Sequence, residues 1–298
     1  MAYQYIQVER DGPVTTFTIN RPEVMNALHS VAHFEMAEAF DAFAADTGQW
    51  VGIVTGAGGR RNSIGRAYAL GLAHAGAAVV VADINAEGAK VVADEVTAAG
   101  GKAIAVGVDI TNRESVADMV SATTRAFGGI DILVNNAALM AELGQLAAAD
   151  VSLEDWNRIM NVNVTGALLC AQAVIPELRK RGGGRIVNQV SGGAFPAISI
   201  YGISKLALVG LTTTLARQLG REKIAVNAIA PGNTASDAGK LLTPDDSPFI
   251  KFLEMNVAMR VRGAPDELVG TLLLLCSQAG GWMTGQVIHV DGGWILRP

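Results

Sequence analysis

The chain has 298 residues, half of them hydrophobic and 17% charged, which excludes a disordered protein and leaves room for one large domain or two small ones. Its formal charge of −5 comes without a basic block and gives nucleic-acid binding no support. The two cysteines, Cys170 and Cys276, lie in apolar helical-looking stretches and read as buried thiols of a reducing compartment.

The first fifty residues have a rhythm of their own. Gln4–Arg10 and Val14–Asn20 read as a hairpin joined at Asp11-Gly12-Pro13. Ser30 to Ala45 follows as an amphipathic helix, with Phe34, Met36, Ala39, Phe40 and Phe43 among its apolar positions. Met1 to Arg10 carries acid and has no apolar core stretch, so it is unlike a signal peptide. No run of about 20 uninterrupted apolar residues suggests a membrane span. A cytoplasmic protein is expected.

From Val51 onward, short β-branched runs alternate with longer helical stretches. The predicted strands are Val51–Thr55, Ala78–Ala82, Ala103–Val108, Ile130–Asn135, Gly184–Ser191, Ile224–Ala230 and Gln286–Val290. Continuous Val, Ile and Ala runs fit strands covered on both faces. The expected fold is α/β: a Rossmann-type doubly wound parallel sheet of seven strands over residues 51–298. The hairpin and helix of residues 1–50 form an extension to it.

Val51–Thr55 runs into Gly56-Ala57-Gly58-Gly59, Arg60-Arg61-Asn62 and Ser63-Ile64-Gly65, after which a helix begins. Backbone amides and the helix dipole at such a turn favour an anion, and missing side chains let a pyrophosphate approach. Asp83 ends the second strand, 27 residues past Gly56. An acid there binds adenosine ribose hydroxyls and repels a 2′-phosphate, which favours NAD over NADP. Arg60 and Arg61 argue for NADP, and Asp83 also reads as an ordinary turn or cap aspartate.

Ser191 closes a strand, and Tyr201 and Lys205 are four apart at the start of a helix, so they project from one face. A free tyrosine titrates near pH 10, and proton transfer near pH 7 asks for a shift of about three units, roughly 4 kcal/mol. A lysine ammonium one turn away is expected to supply much of that by favouring phenolate. The Ser191 hydroxyl can hold a carbonyl oxygen. Tyrosine and lysine at this spacing also occur on plain solvated helix faces.

From about Val51 to the C-terminus, the ordered motifs resemble the short-chain dehydrogenases/reductases. They are Thr55–Gly65, Asp109, Asn135-Asn136-Ala137-Ala138, Asn163 in the NVNVTG stretch, Ser191, Tyr201 with Lys205, Pro231-Gly232, Thr284-Gly285-Gln286 and Val290-Asp291-Gly292-Gly293. The resemblance implies a nicotinamide cofactor, NAD with NADP as the alternative. It implies cofactor contacts from Gly56, Gly58, Ser63, Ile64, Gly65, Asp83, Asp109, Ile110, Asn135, Asn136, Ala137, Tyr201, Lys205, Pro231, Gly232, Thr234 and Ser236. Tyr201 becomes the general acid/base. Lys205 also holds the nicotinamide ribose. Ser191 orients the substrate oxygen, and Asn163 kinks its helix and holds a water of a proton relay. No metal is implied. The implied reaction interconverts a secondary alcohol and a ketone, in a homodimer or homotetramer. Leu139, Met140, Phe195, Phe249, Phe252, Leu253 and Met255 are candidates for an apolar substrate pocket under a lid over Ser236 to Val257.

The chain departs from that pattern at Arg60-Arg61-Asn62, which lengthens the turn. Ser63 and Ala138 stand where the family has glycine, and only ten residues separate Ser191 from Tyr201.

Val8 to Val14 and Ile19 to Leu28 resemble the opening of the enoyl-CoA hydratase (crotonase) family, a likeness that runs to about Gly59. The second half of that family's oxyanion hole and its acid/base carboxylates come later in the family and have no counterpart here, so no hydratase activity is expected. The alternatives to an oxidoreductase are an acyl-CoA-binding module, whose affinity survives Tyr201→Phe, and an inert nucleotide-binding scaffold.

Overall fold

The computed structural model describes residues 4, 6–11, 14–20, 35, 50–59, 62–140, 148–197 and 199–296. The chain divides into two units, Met1–Gln49 and Trp50–Pro298. In the first, β1 (Ile6–Asp11) and β2 (Val14–Ile19) pair antiparallel, Ile6 opposite Ile19 and Asp11 opposite Val14. The expected helix over residues 30–45 lies outside the described residues except for Glu35, which is helical. Its Oε1 accepts a hydrogen bond from the Gln4 amide at 2.9 Å.

The second unit is built on a seven-stranded sheet. In chain order its strands are β3 (Val51–Thr55), β4 (Ala78–Asp83), β5 (Lys102–Gly107), β6 (Ile132–Asn135), β7 (Gly184–Gln189), β8 (Ile224–Pro231) and β9 (Val287–Val290). In space they run β5-β4-β3-β6-β7-β8-β9, every neighbouring pair parallel. The doubly wound expectation therefore holds, with boundaries shifted by one or two residues. Every residue of β3 and β4 is buried, as two-sided coverage of a Val- and Ala-rich run requires.

The period of two along each strand sorts the core into two layers. Ile53 and Leu133 pack with Val116 and Met119 of α3 (Arg113–Phe127) and with Cys170 and Val174 of α5 (Ala167–Lys180). Val54 and Val134 face the other way, onto Tyr68 and Leu72 of α1 (Ile64–His74), Val92 of α2 (Ala86–Ala98) and Leu272 of α9 (Val269–Cys276). Both cysteines are free and buried, and burial pushes each thiol up to about 12. The continuous helical stretch Leu153–Lys180 is long and apolar enough to cross a membrane by length and composition alone. Half of its apolar window is buried inside the domain, where it fills the α5 side of the core.

Chain order reverses between β3 and β6: one crossover moves outward through β4 and β5, the next through β7 and β8. The loops leaving the carboxyl ends of β3 and β6 diverge there, and that divergence opens a crevice. Residues leaving β3, β4, β6, β7 and β8 all meet in it.

Candidate active site

The crevice is a cavity of about 530 Å³. At one end lies the glycine turn. Gly56 has φ +66, and a Cβ there would stand 2.5 Å from Ala137 Cα; a Cβ on Gly65 would stand 2.4 Å from the Gly56 carbonyl. The turn thus presents bare backbone to the cavity. Ser63 caps α1 by accepting from the Arg66 amide at 3.2 Å, so Ser63, Ile64 and Gly65 line the cavity at the positive end of the helix dipole. Serine in place of the family's glycine is explained by this cap. Asn136 braces the turn, its Nδ2 donating to the Thr55 and Gly56 carbonyls at 3.0 and 2.9 Å. This bare-backbone cradle suits a pyrophosphate.

Asp83, the last residue of β4, faces the same end and is 8% exposed. Its two oxygens accept from the Gly58 and Asn85 amides, each at 2.9 Å. Asp109 and Ile110 form the wall beyond it; Asp109 Oδ1 also accepts from the Thr111 amide and hydroxyl. Two residues expected at the cofactor stand back from the cavity. Gly58 is turned toward α2, where a Cβ would meet the Ala89 nitrogen at 2.2 Å. Asn135 is buried beneath the wall, donating to Ala167 O and Asn188 Oδ1. Asn136 and Ala137 line the cavity in its place.

At the opposite end are Ser191, Tyr201 and Lys205, with Pro231, Gly232, Thr234 and Ser236 along the rim. Ser191 leaves β7 and takes the Gly193 amide on its Oγ at 3.1 Å. The short loop closes through the 3₁₀ turn Gly192–Ala194 and a left-handed Ala197, and Ser199 then caps α6 (Ile200–Leu219). Tyr201 and Lys205 stand on its first turns, with Lys205 Nζ 5.6 Å from the Tyr201 ring centre. Lys205 is 1% exposed, and its Nζ donates to the Gln189 carbonyl at 2.8 Å.

The electrostatics of this pair depart from the sequence expectation. Burial pushes the Tyr201 phenol up to about 12, against the opposing pull of the Ser191 hydroxyl. Burial also pulls the Lys205 ammonium down to about 7. The anticipated lowering of Tyr201 by its lysine is absent because desolvation favours the neutral form of both groups.

The helix irregularity expected at Asn163 is present. The stretch Asn161–Gly166 is a π-helical turn between α4 (Leu153–Met160) and α5, the anticipated kink. The Asn163 side chain, however, is fully engaged. Its Oδ1 accepts from the Leu139 amide at 2.7 Å, and its Nδ2 donates to Leu139 O and Ser204 Oγ, both at 3.0 Å. It pins the loop after β6 to α6 and does not line the cavity.

Leu139, Met140 and Leu253 line the cavity, as expected for an apolar pocket. Phe195 instead lies against His289, ring centres 4.8 Å apart and planes tilted by 41°, and Phe252 and Met255 of α8 (Pro248–Asn256) are exposed. The Phe249 side chain lies outside the described residues. Among the wall residues that the sequence does not single out are Trp294 and Gln189. Trp294 packs on Gly192 and is fixed by Asp291, which accepts from the amides of Gly293, Trp294 and Ile295. Gln189 is the other; its signal is a second amide, after Asn188, at the end of a buried strand.

The lengthened turn has a structural partner. Asn62 donates from its backbone to Asp237 Oδ2 at 3.0 Å and from Nδ2 to Ala235 O at 2.7 Å, and its carbonyl accepts from the Asp237 amide at 2.8 Å. Asp237 begins α7 (Asp237–Leu242), the start of the segment expected to form a lid. Arg60 and Arg61 lie outside the described residues.

The family model described as enoyl-(acyl carrier protein) reductase matches residues 56–295. An uncharacterized oxidoreductase of Mycobacterium tuberculosis is 46% identical over 247 residues, 83% of this chain and 98% of that protein. A 7α-hydroxysteroid dehydrogenase solved with NADH and 7-oxoglycochenodeoxycholic acid superposes with TM-score 0.76 at 36% identity, over 82% of this chain and 93% of its own. A short-chain type dehydrogenase/reductase from Mycobacterium marinum gives TM-score 0.74 at 34% identity, over 83% and 96%. The crotonase likeness of the first residues has no support in these matches, and residues 1–55 precede the matched family segment.

Proposed function

The chain belongs to the short-chain dehydrogenase/reductase family, an oxidoreductase family with nicotinamide cofactors, and from that premise we propose that it interconverts a secondary alcohol and a ketone with NAD. One observation carries the reading: a single cavity has a glycine turn and a carboxylate at one end and Ser191, Tyr201 and Lys205 at the other. Nicotinamide, when bound, supplies or accepts the hydride.

In this reading the protein's own groups handle the proton. Ser191 holds the carbonyl oxygen through its hydroxyl. Tyr201 keeps its proton at neutral pH, the form that protonates an oxyanion as hydride arrives. Lys205, held against the Gln189 carbonyl, holds the nicotinamide ribose and supplies positive charge behind the phenol in its protonated state. Asn163 acts by fixing the Leu139 loop against α6. Leu139, Met140, Leu242, Leu253 and Trp294 favour an apolar substrate. Homo-oligomer assembly rests on the family resemblance, and residence in the cytoplasm on the composition of the sequence.

Following NADH absorbance over a panel of apolar ketones tests the proposal, with turnover of at least one expected. Tight NADH binding with no turnover on any ketone would leave the inert-scaffold alternative standing.

NAD is preferred to NADP in this reading because the Asp83 carboxylate faces the ribose end of the cavity, where a 2′-phosphate meets a like charge. Asp83→Asn keeps the size and one carbonyl oxygen while removing the charge. The ratio of kcat/KM with NADH to that with NADPH should fall about tenfold, a change of about 1.4 kcal/mol. An unchanged ratio would remove Asp83 as the discriminator.

A further inference from the structure

Gly192, the residue after Ser191, has no backbone reason to be glycine. It opens a 3₁₀ turn without a positive φ, a conformation that any residue adopts. The reason stands beside it. A Cβ on Gly192 would lie 2.9 Å from both Cε3 and Cζ3 of Trp294, closer than side chains approach one another, and 3.3 Å from the Pro231 carbonyl. The six-membered edge of the indole is therefore seated on bare backbone next to the residue that holds the substrate oxygen. Ser191, Gly193 and Trp294 all line the cavity.

The indole is also held from behind. The Asp291 carboxylate, 4% exposed, accepts from the amides of Gly293, Trp294 and Ile295 at 2.9, 3.2 and 2.9 Å. Gly232 lets the end of β8 press on that turn, since a Cβ there would stand 2.7 Å from Asp291 Cα. The Gly292 carbonyl accepts from the Met259 amide at 2.9 Å, which ties the same turn to the segment after α8. A carbonyl oxygen on Ser191 leaves two substituents to place. On one side the wall is this indole, pressed on backbone and unable to yield. On the other it is Leu139, Met140 and Leu253, flexible side chains from the loop after β6 and from α8.

We propose that Trp294, seated on Gly192, sets the specificity of the substrate end: it limits one arm of the ketone to a small group such as methyl and leaves the other arm free to be large and apolar. The inference rests on the ketone reading above and deepens it, from apolar ketones in general to apolar ketones with one small arm.

Methyl hexyl ketone has a small arm and dicyclohexyl ketone has none. Wild type should prefer the first by at least about 100-fold in kcat/KM with NADH, and Trp294→Ala should narrow that preference about tenfold. Trp294→Leu, expected to narrow it less, is a second variant should the first fold poorly. Gly192→Ala should lower kcat/KM for methyl hexyl ketone about tenfold by displacing the ring, and in the Trp294→Ala background the same added methyl should cost less than about twofold. An unchanged preference in both Trp294 variants would overturn the assignment. So would a Gly192→Ala loss as large without the ring as with it, or a loss of NADH affinity in Trp294→Ala above about tenfold, which places the ring at the cofactor. Both ketones are also titrated onto protein saturated with oxidised NAD, which has no hydride to give. If wild type turns over neither ketone, the proposed reaction fails while the size limit stands or falls on these binding constants, with the same ratios expected. Binding of neither ketone overturns both.

Discussion

Tyr201→Phe should remove ketone turnover by about 10²–10⁴-fold while NADH affinity stays within about twofold, read by NADH absorbance and by direct titration. The ring keeps its place on the first turn of α6, beside Ile159 and Ile200 in a small apolar cluster, so deleting one oxygen leaves the packing intact. The loss is confined to proton transfer and to the hydrogen bond shared with Ser191. The raised phenol sharpens the expectation. Burial holds the proton on Tyr201 across the neutral range, so reduction of a ketone should show no loss of rate from tyrosine ionisation between pH 6 and 8. Equal turnover by wild type and Tyr201→Phe would point to an acid elsewhere in the cavity.

Lys205→Met should have two opposite effects. Turnover falls at least about 100-fold, because the charge behind the phenol and the group proposed to hold the cofactor ribose are both gone. The unliganded fold, in contrast, becomes more stable at acid and neutral pH. An unfolded lysine titrates at its ordinary 10.5, whereas burial pulls folded Lys205 down to about 7. Between those values the unfolded chain binds more protons, so this group makes wild-type stability rise with pH from about 7 to 10.5. Below about pH 7 the folded state carries the full penalty of a buried ammonium, on the order of 5 kcal/mol at 1.36 kcal/mol per unit. The variant should therefore melt roughly 10–20 °C above wild type at pH 6, with the gap shrinking to roughly 3–6 °C at pH 9.5. A gap independent of pH would show that Lys205 is not the titrating group. This is the trade expected where catalysis keeps a group that folding would discard.

The sheet was readable because its signal is redundant. Val51–Val54 and Ala78–Ala82 carry no polar side chain, and only strands covered on both faces need that. The glycine turn and the Tyr201–Lys205 pair were readable because local backbone rules tie residue type to position. What escaped depends on contacts that sequence spacing does not encode. Gly58 and Asn135 sit inside the right motifs but turn away from the cavity, since each motif also has to hold the turn to α2 or β6 to α5. Trp294 arrives from the far end of the chain, more than ninety residues after Tyr201. The direction of the Tyr201 shift was misjudged for a similar reason. A four-residue spacing gives proximity, whereas the titration is decided by burial, which only the assembled crevice sets.

The bridge from Asn62 to Ala235 and Asp237 bears on the shape of the cavity rather than on its chemistry. It ties the turn at the start of α1 to the segment that follows Pro231-Gly232. The two cavity walls at the start of α1 and after β8 are thereby held at one spacing, and the lengthened turn fixes the width of the cavity between them.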